Sequence, residues 1–421
     1  MHFLFRISFF VPKGIALPCL LIMLMLCPPP GLRGQSTDLS VFDPPPMLPP
    51  LDASRRDAFK AYLTREWKRN NLPGMAVVIV QRESLVMIEC YGQANLEENR
   101  PITPETVFNM GHAGQGLVSL LTATLIYQKK TDWDRPVRQV WSGFRMKDRE
   151  AEAMVSFRDL LSMTAGIPET SEERLKTLWA RPGDVFEVIA QSASLAQPGN
   201  TYSYSPISYA AGGYLSAITA GFSAQDLTAA FESAMRAHLF EPLDMKQATF
   251  SRIKALSDGQ LSQGYLRNND TWTAPASTEV ERDYLAPARG LKASAHDIAQ
   301  WLLLEVNRGR LPEKARIAEE RDITMRWQPP RVRDSRQFAL GWYRQFHEGT
   351  EIVAHRGTFE HQTTLVAIMP RFHTALAVMI NTDDRQAEIM AEDILLSLAD
   401  MLREIKRSIP QPALMPPPRQ Y

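Results

Sequence analysis

Cysteine is scarce in this chain. Cys19, Cys27 and Cys90 are the three in 421 residues, and the first two sit in an N-terminal apolar segment. If that segment is removed, Cys90 stands alone. A single thiol closes no intrachain disulfide, so stability has to come from the core. Excess charge is also lacking: 47 basic and 47 acidic residues cancel. With no basic stripe either, the chain has no nucleic-acid footprint, which leaves small molecules or peptides as ligands. The apolar run Ile15–Cys27 has 13 residues, short of the roughly 20 a membrane span needs. No fixed-period repeat is visible, and no His-x-x-x-His pair offers a local metal site. No metal and no cofactor are expected.

What is present begins with that N-terminal segment. Arg6 and Lys13 precede the apolar run, and Pro28-Pro29-Pro30-Gly31 breaks it. This is the pattern of a secretory signal over residues 1–34. Gly34 is a fair cleavage point, and an uncleaved anchor is the alternative. Leu24-Met25-Leu26-Cys27 also permits a lipoprotein reading, against which the bulky residue before the cysteine counts. The protein is expected to be exported, periplasmic or secreted, with membrane contact only through this segment if it is retained. Its removal takes Arg6, Lys13 and Arg33 and leaves 44 basic against 47 acidic residues. A Pro-rich linker, residues 35–52, follows with Pro44-Pro45-Pro46 and Pro49-Pro50 and should be extended.

Residues 53–407 read as one α/β domain. An amphipathic helix spans 53–70. The apolar runs Met75–Val80 and Leu85–Tyr91, parted by Gln81–Ser84, predict a β-hairpin; Cys90 in its second strand reads as a buried structural thiol. From Phe108 to about Trp301 the periodicity is mostly helical, with Gly/Pro breaks at 166–168, 181–183 and 198–199. Strand-like segments return at Gln337–Phe346, Glu351–His355, Thr363–Met369 and Ala375–Ile380. A last helix, Arg385–Lys406, carries an apolar face through Ile389, Ile394, Leu395, Leu398, Met401 and Leu402, and a Pro-rich tail occupies 408–421. Strands at both ends imply one mainly antiparallel sheet flanked by helices. An all-helical subdomain of about 108–300 is inserted, and the junction makes a cleft of the kind that holds ligands. The dispersed tryptophans and methionines read as packing, and Arg331–Arg336 as a solvated loop.

Five segments in order carry a likeness to a known family. They are Pro73-Gly74-Met75-Ala76-Val77, Leu160-Leu161-Ser162-Met163-Thr164-Ala165-Gly166-Ile167-Pro168, Glu241-Pro242-Leu243-Asp244-Met245, Pro287–Asp297 and His355-Arg356-Gly357. Together they resemble the serine β-lactamase-like hydrolases: class C β-lactamases, D-alanyl-D-alanine carboxypeptidases and related esterases. The resemblance implies the β-lactamase-like fold and a cleft built for acyl transfer.

Within that resemblance, Phe108–Gln115 occupies the place of the family's Ser-x-x-Lys motif, whose spacing puts both side chains on one helix face. His112 then stands for the serine and Gln115 for the lysine. An amide accepts no proton near neutral pH, so Gln115 is no general base. Tyr204-Ser205-Pro206 takes the place of Tyr-x-Asn, keeping the phenol and losing the amide, while His355-x-Gly357 matches the third motif. Ser119, Ser162 and Ser294 are the other serines nearby, none with a lysine three residues on. His112, Gln115, Tyr204 and His355 are therefore the candidate site positions. The expectation is a non-catalytic or strongly impaired member retaining a ligand cleft. The alternatives are an active esterase, amidase or acyltransferase using His112, Tyr204 and His355 unconventionally, and a scaffold that binds a partner protein. A helix N-terminus favours a neutral imidazole at His112, able to serve as base or transient nucleophile. A metal held by His112 and His355, with Tyr204 or His361 nearby, is a further arrangement to test.

Overall fold

The structure, a computed structural model, describes residues 49–169, 184–269, 271–276, 284–311, 315–332 and 337–408. The signal segment, the linker up to residue 48, the break at 181–183, residues 333–336 of the charged loop and the tail from 409 lie outside the described residues.

The first helix, α1 (Ala53–Asn70), starts where Asp52 accepts the Arg55 amide at 2.8 Å and stops where Asn71 turns left-handed. The strands are β1 (Gly74–Gln81), β2 (Ser84–Asn95), β3 (Arg100–Pro101), β4 (Val107–Asn109), β5 (Leu266–Asn268), β6 (Thr271–Thr273), β7 (Lys292–Ser294), β8 (Tyr343–His347), β9 (Thr350–Phe359), β10 (Gln362–Met369) and β11 (Thr374–Ile380). Seven of them form one antiparallel sheet in the order β3-β2-β1-β11-β10-β9-β8. The chain's first and last long strands meet at its centre, with Val78 opposite Ala377. Every residue of β1, β10 and β11 is buried. This is why they read as unbroken apolar runs rather than as alternation: both faces of the sheet are covered.

Each face has its own core. Met75, Val77 and Ile79 join Leu376 and Val378 under the terminal helices. Ala76, Val78 and Val80 face the helical block. The final helix runs Arg385–Ser408 and buries Met390, Ile394, Leu395, Leu398 and Leu402. Ile389, placed on that face by its spacing, is 42% exposed; the seam passes through Met390 instead. Cys90 is half-buried rather than buried, and burial pushes its thiol up to about 11.

In chain order, α2 (Gln115–Tyr127), α3 (Pro206–Ala220) and α4 (Ala295–Val306) come between the strands of the sheet's two halves, with shorter helices around them. α2 and α3 pack side by side, Thr122 and Ser216 sharing a hydroxyl hydrogen bond of 2.8 Å. α4 lies on the sheet itself, against β1 and β11. The block also holds two short strand pairs, β4–β7 and β5–β6. Strands of three residues are too brief to show a period of two, so helical patterning around them hides them. Behind α2, the buried Arg326 donates to Ser119 Oγ at 2.9 Å, to the Gly116 carbonyl and to both carboxylate oxygens of Glu305. Trp301 completes the arrangement with a 2.9 Å bond to Glu305.

Candidate active site

β4 delivers the chain to a one-turn 3-10 helix, Gly111–Gly114, that carries His112 and leads into α2. Backbone bonds fix this turn from three sides. Asn109 N donates to Gln362 Oε1 at 3.0 Å, Met110 N to the Leu291 carbonyl at 2.8 Å, and Thr364 Oγ1 to the Met110 carbonyl at 2.7 Å. β9 passes directly beside it. A Cβ on Gly357 would lie 2.2 Å from the Met110 oxygen and 2.9 Å from His112 N. Glycine is therefore required there by the approach of two backbones.

His355, two residues earlier on the same face of β9, is 5% exposed. Its Nδ1 sits 2.8 Å from the Gly341 carbonyl. A carbonyl only accepts, so Nδ1 carries the proton and Nε2 the lone pair. Burial drives the pKa of His355 down to about 3; the Gly341 bond opposes the shift and the charge of His112 adds to it. Tyr343 meets the ring edge-on at 5.2 Å. Gly341 has φ +87, and a Cβ there would collide with Tyr209 Oη at 2.5 Å.

Tyr204 stands across from His112, their ring centroids 6.2 Å apart and 65° inclined. His112, Tyr204 and His355 line one cavity of about 690 Å³ with Gln337, Tyr343 and Arg356. A second pocket of about 200 Å³ also reaches His112, walled by Arg356, Thr358, Thr363 and Glu388. Three of the four sequence-predicted positions are thus brought together. Gln115 is not among them: it is wholly buried, and its Nε2 donates 3.1 Å to the Ala288 carbonyl.

The remaining expectations resolve locally. Pro206 occupies the first turn of α3 behind the cap Ser205, where a missing N–H is no loss. Ser119 is buried with its hydroxyl on the Gly116 carbonyl. Ser162 Oγ donates 2.7 Å to the Arg158 carbonyl, and Ser294 forms a capping box with Asp297. His361, considered as a neighbour of His112, faces a separate cavity and pairs with Asp383 at 3.1 Å. Sequence reasoning missed Arg356, Tyr343 and Glu388. Arg356 had a signal, lying inside the His-x-Gly motif; Glu388 had none, since its helix reads as cover for the sheet.

Set beside known proteins, residues 59–399 match the model of the family described as Beta-lactamase. The chain belongs to the beta-lactamase family. Relatives of this beta-lactamase-family chain include an unguisins hydrolase of Aspergillus campestris, 24% identical over 348 residues that cover 79% of this chain and 62% of that protein. The chain thus spans about three fifths of that relative's length. The esterase EstB of Burkholderia gladioli is 22% identical, over 64% of this chain and 74% of its own. Among solved structures, a penicillin-binding protein homologue from Pyrococcus abyssi superposes with a TM-score of 0.67 at 18% identity, covering 82% of this chain and 77% of that one. A class C beta-lactamase from Rhodobacter sphaeroides gives 0.63 at 19%, over 82% and 99%. At these identities the structural likeness establishes the beta-lactamase-like fold.

Proposed function

We propose that this family member binds a ligand in the cavity at His112 without running the family's acyl-enzyme chemistry, and that it does so outside the cytoplasm. The observation that carries the reading is Gln115: its buried amide is bonded to a backbone carbonyl and lines neither pocket at His112. A nucleophile and its base act as one unit, and removing either costs most of the rate. Here an imidazole and an amide stand in the two places. The names of the relatives, hydrolase and esterase, favour a peptide-, ester- or amide-bearing molecule as the ligand. The signal-like residues 1–34 motivate export; fractionation that finds Met1-bearing protein in the cytoplasm would remove that part.

One observation favours a second reading. His112 and Tyr204 face one another over the same cavity as His355, an arrangement in which an imidazole can activate water. A fluorescent penicillin and a chromogenic ester separate the two. The expected results are no protein band that survives denaturation and no ester turnover above buffer. Turnover or labelling that vanishes in His112→Ala transfers the site to histidine chemistry. A band that depends on a serine overturns both readings.

A further inference from the structure

The two pockets at His112 have that residue and Arg356 as common walls, so a ligand seated in the larger can extend into the smaller. The charges around them differ in availability. Arg344 and Arg356 are the guanidiniums of the lining, and each is already paired. Arg344 Nε lies 2.6 Å from Glu351, and Arg356 pairs with Glu392. A paired guanidinium offers an incoming anion little net attraction.

Glu388 is in the opposite condition. It stands exposed in the first turn of the final helix, and among the described residues no hydrogen bond or ion pair engages its carboxylate. It walls the smaller pocket and also a groove of about 300 Å³ beyond it, which Arg385, Ile389 and Asp393 extend. The carboxylates of Glu388 and Asp393 there outnumber the one guanidinium outside an ion pair, Arg385, so the local field is negative. Inside the smaller pocket Leu365 and Ala391 supply apolar wall, and Thr364 has its hydroxyl on the Met110 carbonyl. An alkyl chain is at home against such a wall, and an ammonium at its end is not until it reaches Glu388.

We infer that the ligand held at His112 is basic. It is an amide- or ester-bearing molecule with a short alkyl chain ending in an ammonium or guanidinium, as in a lysine- or arginine-type residue. Its polar body lies in the larger cavity, the chain passes along Leu365 and Ala391, and the cation meets Glu388. This assignment rests on the ligand-binding reading at His112 and names the chemistry of one end of that ligand.

Titration calorimetry on the whole protein tests this by comparing Nα-acetyl-lysine amide with Nα-acetyl-norleucine amide, which lacks only the ammonium, each in its L and D forms. At least one lysine amide should bind about fivefold tighter than its norleucine partner, as an ion pair in partial contact with solvent allows. High salt should shrink that preference. Glu388→Gln, an exposed substitution that leaves the core untouched, should bring the two affinities together. Glu404→Gln, at an exposed carboxylate of the same helix that lines neither pocket, should not. Equal affinities in the wild type, a preference that survives Glu388→Gln, or the same loss in Glu404→Gln overturns the assignment while leaving the cavity a binding site. If none of the four amides binds, the ligand-binding reading falls and the assignment falls with it.

Discussion

The two walls of the cleft at His112 differ in what their residues are needed for. On the strand wall, Gly357 and His355 are fixed by backbone: one by a 2.2 Å approach to Met110, the other by a 2.8 Å bond to Gly341. On the helix wall, two positions singled out by the family resemblance serve packing. Gln115 holds the Ala288 carbonyl, and Pro206 starts a helix. The groups that set the shape of the cleft are held by main-chain approach, while Gln115 and Pro206 are held by packing and Tyr204 keeps its phenol in the cavity. Shape and reactivity are separable here because different atoms carry them: main chain on one side, side-chain termini on the other.

The largest effect expected from breaking this arrangement lies behind the helix wall. Glu305→Ala would leave the guanidinium of Arg326 buried without its carboxylate, at a cost of about 3–5 kcal/mol. Urea unfolding should show it as a lowered midpoint. Next comes the strand wall: Gly357→Ala should cost about 2–3 kcal/mol by overpacking against Met110. Gly349→Ala, at a turn with open space around it, should cost about 1 kcal/mol from its positive φ alone. Equal losses at the two glycines would mean that the walls are not in the contact described.

The helix wall can also be sharpened by restoring what it lacks. In the double variant His112→Ser, Gln115→Lys, the new amine replaces a fully buried amide, and desolvation lowers its pKa toward the range of a useful base. Weak hydrolysis of a chromogenic ester is expected, with Pro206→Asn adding the amide of Tyr-x-Asn. A folded triple variant no more active than the wild type would place the deficit in the cleft's shape, against the separation argued above.

A further effect, read in pH rather than in a midpoint, is acid sensitivity from the strand wall. His355 titrates at about 3 when folded, against an ordinary 6.5, so the unfolded chain binds its proton first as pH falls. Its share of stability is complete above pH 6.5 and is lost as pH drops toward 3. His355→Asn, which keeps a donor for Gly341, should flatten the fall of the melting temperature between pH 6 and 4. An identical slope in the two proteins would deny His355 that role.

How legible this was follows from the same distinction. β1, β10 and β11 were readable because burial on both faces leaves long apolar runs, β2 because it follows β1 after a short polar break, and α1 ended where its sequence said it should. β4 and β7 were not, since three residues show no period and their pairing is with each other, Phe108 opposite Ala293, far apart along the chain. At the site, motif order singled out His112, Tyr204 and His355, which line one cavity. The burial of Gln115 was not, because its partner is a backbone carbonyl, which no side-chain pattern announces. Ile389 misled because a 24-residue helix drifts around its axis and several adjacent stripes look apolar.

The pairing of Val78 with Ala377 has a consequence for the chain during its own synthesis. Translation at 5–20 residues per second separates the appearance of those two strands by roughly 15–60 s. For that time the apolar hairpin β1–β2 has no central neighbour, and α1 has no finished surface to cover. High-separation contacts of this kind also slow the search for the native state once the chain is free. The nascent protein therefore presents an apolar strand for tens of seconds, a window in which a holdase or a translocation channel can engage it before any fold exists to resist.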